Sequence, residues 1–246
     1  MNRVKDVFDQ PACGANHAAA VHSGLRSDLY MPDNHDVLAA RAACSRGDWH
    51  AAYEGFGRAS QAAELDTDDL SVFGMVAWRL GYGRESIRLS EDAFNRLIAE
   101  GQPQQAAMKA VEVALQWLNG GDLTITRVWL NRARRLVEQA PDDQAQGHQA
   151  QGHQALPYLL YVDSQVAIRE GRFDDGSRRA QELQEFVSRI DSPGLTALCL
   201  AANGLAKLPF ARTSEGFADL DEAMMPVLAG QVPVDWAGDI YCGVIY

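Results

Sequence analysis

The sequence predicts an all-α fold, a solenoid of about five antiparallel helical hairpins. Two observations carry that expectation. Small residues recur at three fixed offsets around five turn positions. Helix-starting and helix-ending residues also fall between the apolar-periodic stretches, where a chain of hairpins needs them.

Taken in order, the first hairpin turns at Gly47 and predicts helices over 35–46 and 49–64. The second turns at Gly81, with helices over 69–80 and 84–100; Asp68 or Asp69 is expected to cap its first helix. The third turns at Gly121, between helices over 103–119 and 123–139. Pro103 suits a first helical turn, because its missing N–H would be unsatisfied there anyway, and Asp122 suits an N-cap. The fourth turns at Gly171, between 155–170 and 174–190, and the fifth at Ala211, between 194–208 and 214–229. A last short helix is expected over 237–246, with Asp239 as its cap. Gly47, Gly101, Gly121 and Gly171 suit helix C-termini, where a left-handed residue ends the helix.

The residues seven before, five after and twelve after each turn form the repeat. They are Ala40, Ala52 and Ala59; Gly74, Ser86 and Ala93; Ala114, Thr126 and Ala133; Ser164, Gly176 and Leu183; Gly204, Gly216 and Ala223. Only Leu183 is large. Two antiparallel helices approach closely only where small side chains face each other, so these positions mark the crossings. Larger neighbours, among them Leu70, Phe73, Val113, Trp117, Trp129, Leu130 and Phe173, fill the flanking space.

The first two turns lie 34 residues apart, the tetratricopeptide (TPR) period, while later spacings are longer. Part of the longest gap is a tandem duplication: QAQGH at Gln144–His148 recurs at Gln149–His153. An added loop segment costs little closure entropy there. Residues 1–33 are expected to be a flexible leader, 34–246 the TPR-like repeat domain, and 141–154 a loop insertion within it.

Specific words accompany the period. GDWHAAY, AWRLG, AFNRLIAEG with WLNRARRL, LDEAM and the closing GDIYCGVIY make the chain resemble the helical-repeat region of large LuxR-type transcriptional regulators. The resemblance spans roughly Asp36 to Tyr246. In such regulators the repeats precede a DNA-binding helix-turn-helix, and this chain stops before any such module. The resemblance therefore implies only the sensory or interaction half of the function.

Charge and composition agree. The formal net charge of −11 and pI near 4.9 disfavour a polyanionic partner, so no direct DNA binding is expected. Cys13, Cys44, Cys199 and Cys242 have no metal-ligand spacing and read as reduced thiols of a cytoplasmic protein. The N-terminal residues lack the apolar core of a secretory signal, and no apolar run is long enough to cross a membrane.

Other constellations have plainer readings. GYGRES at Gly81–Ser86 lacks the third glycine of a dinucleotide loop and follows a helix, so it is an interhelical turn. Asp66, Asp68 and Asp69 are helix-capping acids, since a calcium loop would need a glycine and a distal glutamate. The pairs His148/His153 and His17/His22 lack the cysteine or carboxylate that would complete a metal site. Trp49, Trp78, Trp117, Trp129 and Trp236 are expected to fill core rather than line a groove. No GxSxG, HExxH or Cys–His arrangement supports catalysis, and no cofactor is expected.

Two features point to a partner. Arg127 and Arg134 share a helix face beside Arg132 and Arg135, with Arg178 and Arg179 on the next hairpin, a basic group suited to an acidic peptide or domain. The closing WAGDIYCGVIY leaves Ile240, Tyr241, Val244, Ile245 and Tyr246 with no polar segment after them, an apolar end for a second copy or another protein to cover. The expected function is a non-catalytic scaffold that binds a protein or peptide on a concave surface. The alternative is a small-molecule sensor with an enclosed pocket.

Overall fold

A computed structural model describes residues 35–139 and 154–245, and among them the only regular elements are eleven α-helices and one 3₁₀ turn. The helices are α1 (His35–Ser45), α2 (Trp49–Ala62), α3 (Thr67–Arg79), α4 (Gly83–Ala99), α5 (Pro103–Asn119), α6 (Leu123–Gln139), α7 (Leu156–Arg169), α8 (Phe173–Val187), α9 (Pro193–Lys207), α10 (Thr213–Leu228) and α11 (Val234–Ile245). The leader at 1–33, Cys13, all but the last residue of the insertion at 141–154, and the four histidines at 17, 22, 148 and 153 lie outside the described residues.

All five expected turns are left-handed. Gly47, Gly81, Gly121 and Gly171 have φ between +73° and +83°, and Ala211 has φ +60°. Each closes its hairpin by the same pair of bonds. The N–H of Asp48 reaches Ala43 O and that of Gly47 reaches Cys44 O, and the pattern returns at Tyr82 and Gly81, Asp122 and Gly121, and Arg172 and Gly171. These are Schellman turns, which satisfy carbonyls that the helix end leaves open. The fifth is looser: a 3₁₀ turn, Leu208–Phe210, precedes Ala211, and the Arg212 N–H lies 3.4 Å from Lys207 O.

Every one of the fifteen offset positions is buried. Where the pair is Gly74 and Ser86, the serine hydroxyl donates to Gly74 O at 2.7 Å, and Ser164 makes the same bond to Gly176 O at 3.2 Å. In the last hairpin two glycines face each other. A Cβ on Gly204 would stand 2.8 Å from Gly216 O, and one on Gly216 would stand 2.9 Å from Gly204 O. Backbone meets backbone there, so any side chain would push α9 and α10 apart.

Two of the expected helix starts hold, and the cap of α3 needs correction. Asp122 accepts from Ile125 N at 3.0 Å, and Pro103 opens α5. The cap of α3 is Asp66, not Asp68 or Asp69: its carboxylate accepts from Asp69 N at 2.7 Å. Asp69 is instead buried and takes Arg41 in a two-pronged pair at 2.6 and 2.8 Å. Trp129 and Trp236 are buried, whereas Trp49, Trp78 and Trp117 are only partly covered, and Arg79 lies 4.2 Å over the Trp49 ring.

The described chain forms two compact units, which meet in sequence between Ala93 and Phe94, inside α4. The first has a core around Phe56, Phe73, Val76 and Leu89. The second is larger, with Trp129, Tyr161, Leu183, Leu198, Leu220, Trp236 and Ile240 in one continuous cluster.

Candidate functional site

The second unit carries the basic group. On α6, Arg127, Leu130, Asn131 and Arg134 share one face, as spacings of three, four and seven require. They line a groove of about 230 Å³ opposite Asp163, Val166 and Ala167 of α7 and Asp175, Arg178 and Arg179 of α8, with Arg172 at the turn between those helices. The groove thus holds Arg127, Arg134, Arg178 and Arg179 of the basic group named from the sequence, together with Arg172, which was not among them. Arg135 is exposed and is not among the residues lining the groove.

Carboxylates hold the guanidiniums in place. Asp163 takes Arg134 and Arg179, each at 3.0 Å. Glu170 takes Arg172 at 2.5 Å and also pairs with Arg127. Asp175 takes Arg172 at 2.7 Å and Arg178 at 2.5 Å, which keeps its carboxyl below the usual carboxylate range. The acids sit low: the Asp163 and Glu170 side chains are 17% and 11% exposed, against 55% for Arg127 and 57% for Arg178. Asp163 and Glu170 thus lie deeper than Arg127 and Arg178, while Asp175 is 40% exposed; most of the charge is compensated, and the guanidiniums present donors outward.

The far side of α8 lines a second groove, of about 320 Å³. Ser177, Gln181 and Gln184 face Asn203 and Lys207 of α9, with Phe210 and Arg212 from the turn. Lys207 pairs with Asp219 at 2.5 Å, and Arg212 pairs with Glu215. Phe210 also meets Phe173, edge to face, with centroids 6.4 Å apart; both rings are exposed, by 46% and 39%.

The C-terminal word behaves differently from the sequence expectation. Asp239 lies well inside α11 rather than at its cap and is buried. Its carboxylate accepts from the Tyr161 hydroxyl at 2.6 Å and from Gln165 Nε2 at 2.9 Å, with Asn119 Nδ2 at 3.5 Å. Burial, together with the nearby Asp239 charge, pushes the Tyr161 phenol well up. Trp236 packs on Tyr158 at 4.6 Å. Ile240, expected at an exposed apolar end, is fully buried because α11 turns this side onto the core of the unit. Tyr241 is partly covered, and the side chain of Ile245 lies outside what the structure describes.

Sequence reasoning missed Arg172, Asp163 and Glu170. One signal was present: Arg172 immediately follows the Gly171 turn, at the mouth of a crossing, where a long side chain reaches both helices. Asp239 gave a signal too, an acid between apolar residues, which reads as a cap unless its donors on α7 are known.

No family model matches the sequence, and no curated protein matches it. A solved structure does: a thermophilic TPR protein of Thermus thermophilus, at a TM-score of 0.50 and 15% identity, over 87% of this chain and 99% of its own. At that identity the likeness concerns fold alone. It agrees with the helical hairpins and closely packed crossings described above, and the chain has an all-α, TPR-like solenoid fold.

Proposed function

We propose that the protein is a non-catalytic scaffold that binds a protein or peptide, and that it serves as the sensory or interaction part of a LuxR-type regulatory system in the cytoplasm. The observation that carries this reading is the groove between α6, α7 and α8, where three carboxylates hold five guanidiniums together. Arginine in a rigid, hydrogen-bonded setting is enriched where macromolecules meet, because its planar fork loses little entropy on pairing. Mixed charged and amide linings favour this over a small-molecule sensor, which would need an enclosed apolar pocket. Direct DNA binding is not part of the reading, since the net charge of −11 opposes it.

Capture from the source organism's lysate tests the reading, with the wild-type chain and Arg127→Glu/Arg178→Glu as baits and quantitative mass spectrometry as readout. Both arginines are exposed, so the fold should survive their loss. Proteins held by the wild type should be depleted at least severalfold on the variant; identical profiles would count against the groove as the binding surface.

A further inference from the structure

The two grooves flank a single helix. Residues 175, 178 and 179 of α8 face the arginine groove, and residues 177, 181 and 184 face the other, so α8 is the ridge between them. At its N-terminal end Arg172 belongs to the first groove, and the next residue, Phe173, packs on Phe210 of the second. A cationic rim and an exposed aromatic pair therefore adjoin.

We propose that the partner is an acidic segment bearing one aromatic or bulky apolar side chain, laid across α8. This rests on the scaffold reading above. Its carboxylates meet the outward guanidiniums, and its apolar side chain covers Phe173 and Phe210.

Three observations support that chemistry. The first is donor capacity: a guanidinium has five N–H groups, and among the described residues Arg178 pairs through Nη2 with Asp175 alone. The neighbouring acids orient the forks and leave further N–H groups for a second carboxylate. The second is the aromatic pair. Two phenylalanines exposed by 39% and 46% in contact with each other are apolar surface that a partner's side chain would remove from water. The third is the second groove, where Gln181, Gln184 and Asn203 offer amides to a peptide backbone, while Lys207 and Arg212 are compensated by Asp219 and Glu215. A nucleic acid fits less well. The carboxylates set between the arginines interrupt their charge, so no continuous positive track is left for a polyphosphate, whereas a short segment needs only single guanidinium donors.

Fluorescence polarisation tests the inference with labelled synthetic peptides: glutamates around a central phenylalanine, the same peptide with serine for phenylalanine, and one with lysines for glutamates. The first should bind best, and added salt should weaken it through screening. Arg172→Glu/Arg178→Glu and Phe173→Ala/Phe210→Ala should each weaken it roughly tenfold or more, as loss of interface anchors does, with unchanged thermal melts as the folding control. Equal binding of the lysine peptide, indifference to the phenylalanine pair, or displacement by a single-stranded oligonucleotide at lower concentration than by free acidic peptide would overturn it. So would failure of every peptide to bind. In that last case a lysate capture that still depends on Arg127 and Arg178 would leave the scaffold reading standing.

Discussion

Asp239 is an ionisable group inside a hydrophobic cluster, and its neighbours explain why it can stay there. Tyr161 and Gln165 donate to one carboxylate oxygen from a single face of α7, four residues apart, while the Asn119 amide approaches the other. An acid with such donors is tolerated in a core that would otherwise reject it, whereas removing it strands the donors. Asp239→Ala should cost about 3 kcal/mol in urea unfolding, because a buried hydroxyl and amide lose their acceptor. Asp239→Asn, which keeps one carbonyl oxygen, should cost visibly less. A change below about 0.5 kcal/mol for the alanine variant, the level of an ordinary surface substitution, would mean that the cluster is incidental.

Within the elements, turn and crossing make opposite demands on small residues. Ala211 holds a left-handed conformation that disfavours any Cβ, and glycine fills that place in the other four hairpins. Ala211→Gly should therefore stabilise the protein by about 0.5–1 kcal/mol, the relief of strain outweighing the added freedom of the unfolded chain. Gly216 is the reverse case: a Cβ there would lie 2.7 Å from Leu208 Cδ2 and 2.9 Å from Gly204 O. Gly216→Ala should destabilise by roughly 1–3 kcal/mol, since one of those contacts is backbone that cannot swing aside. Gly57 is the control. It is helical with nothing within 4 Å of an added Cβ, and Gly57→Ala should be neutral or stabilising by up to about 1 kcal/mol. If Gly216→Ala and Gly57→Ala shift the urea midpoint alike, α9 and α10 do not cross as described.

On the scale of the whole molecule, the C-terminal helix belongs to the second unit's core. Ile240 is fully buried and Trp236 nearly so, and α11 packs against both α9 and α10. Deleting Ile240–Tyr246 should lower the melting temperature by roughly 5–10 °C, the loss of one buried isoleucine and its surroundings. Light scattering should give one mass for the intact chain across micromolar concentrations. A mass that rises with concentration, together with an unchanged melting temperature on deletion, would return this end of the chain to the role of a docking surface.

The sequence by itself determined the hairpins. Turn glycines, caps and small residues act through chain neighbours and through one antiparallel partner a fixed distance away, so their spacing is written along the chain. Arg127 and Arg134 were legible for the same reason, as a shared face of one helix. What the sequence left open depends on which helices come together. Asp163 reads as an ordinary surface acid until α6 and α8 bring Arg134 and Arg179 to it from 29 and 16 residues away. Asp239 reads as a cap until α7, 78 residues upstream, supplies Tyr161. Ile240 reads as an exposed end until α11 turns it inward. Those assignments rest on burial and on pairing across long stretches of chain, where no local period carries the information, and only the tertiary structure decided them.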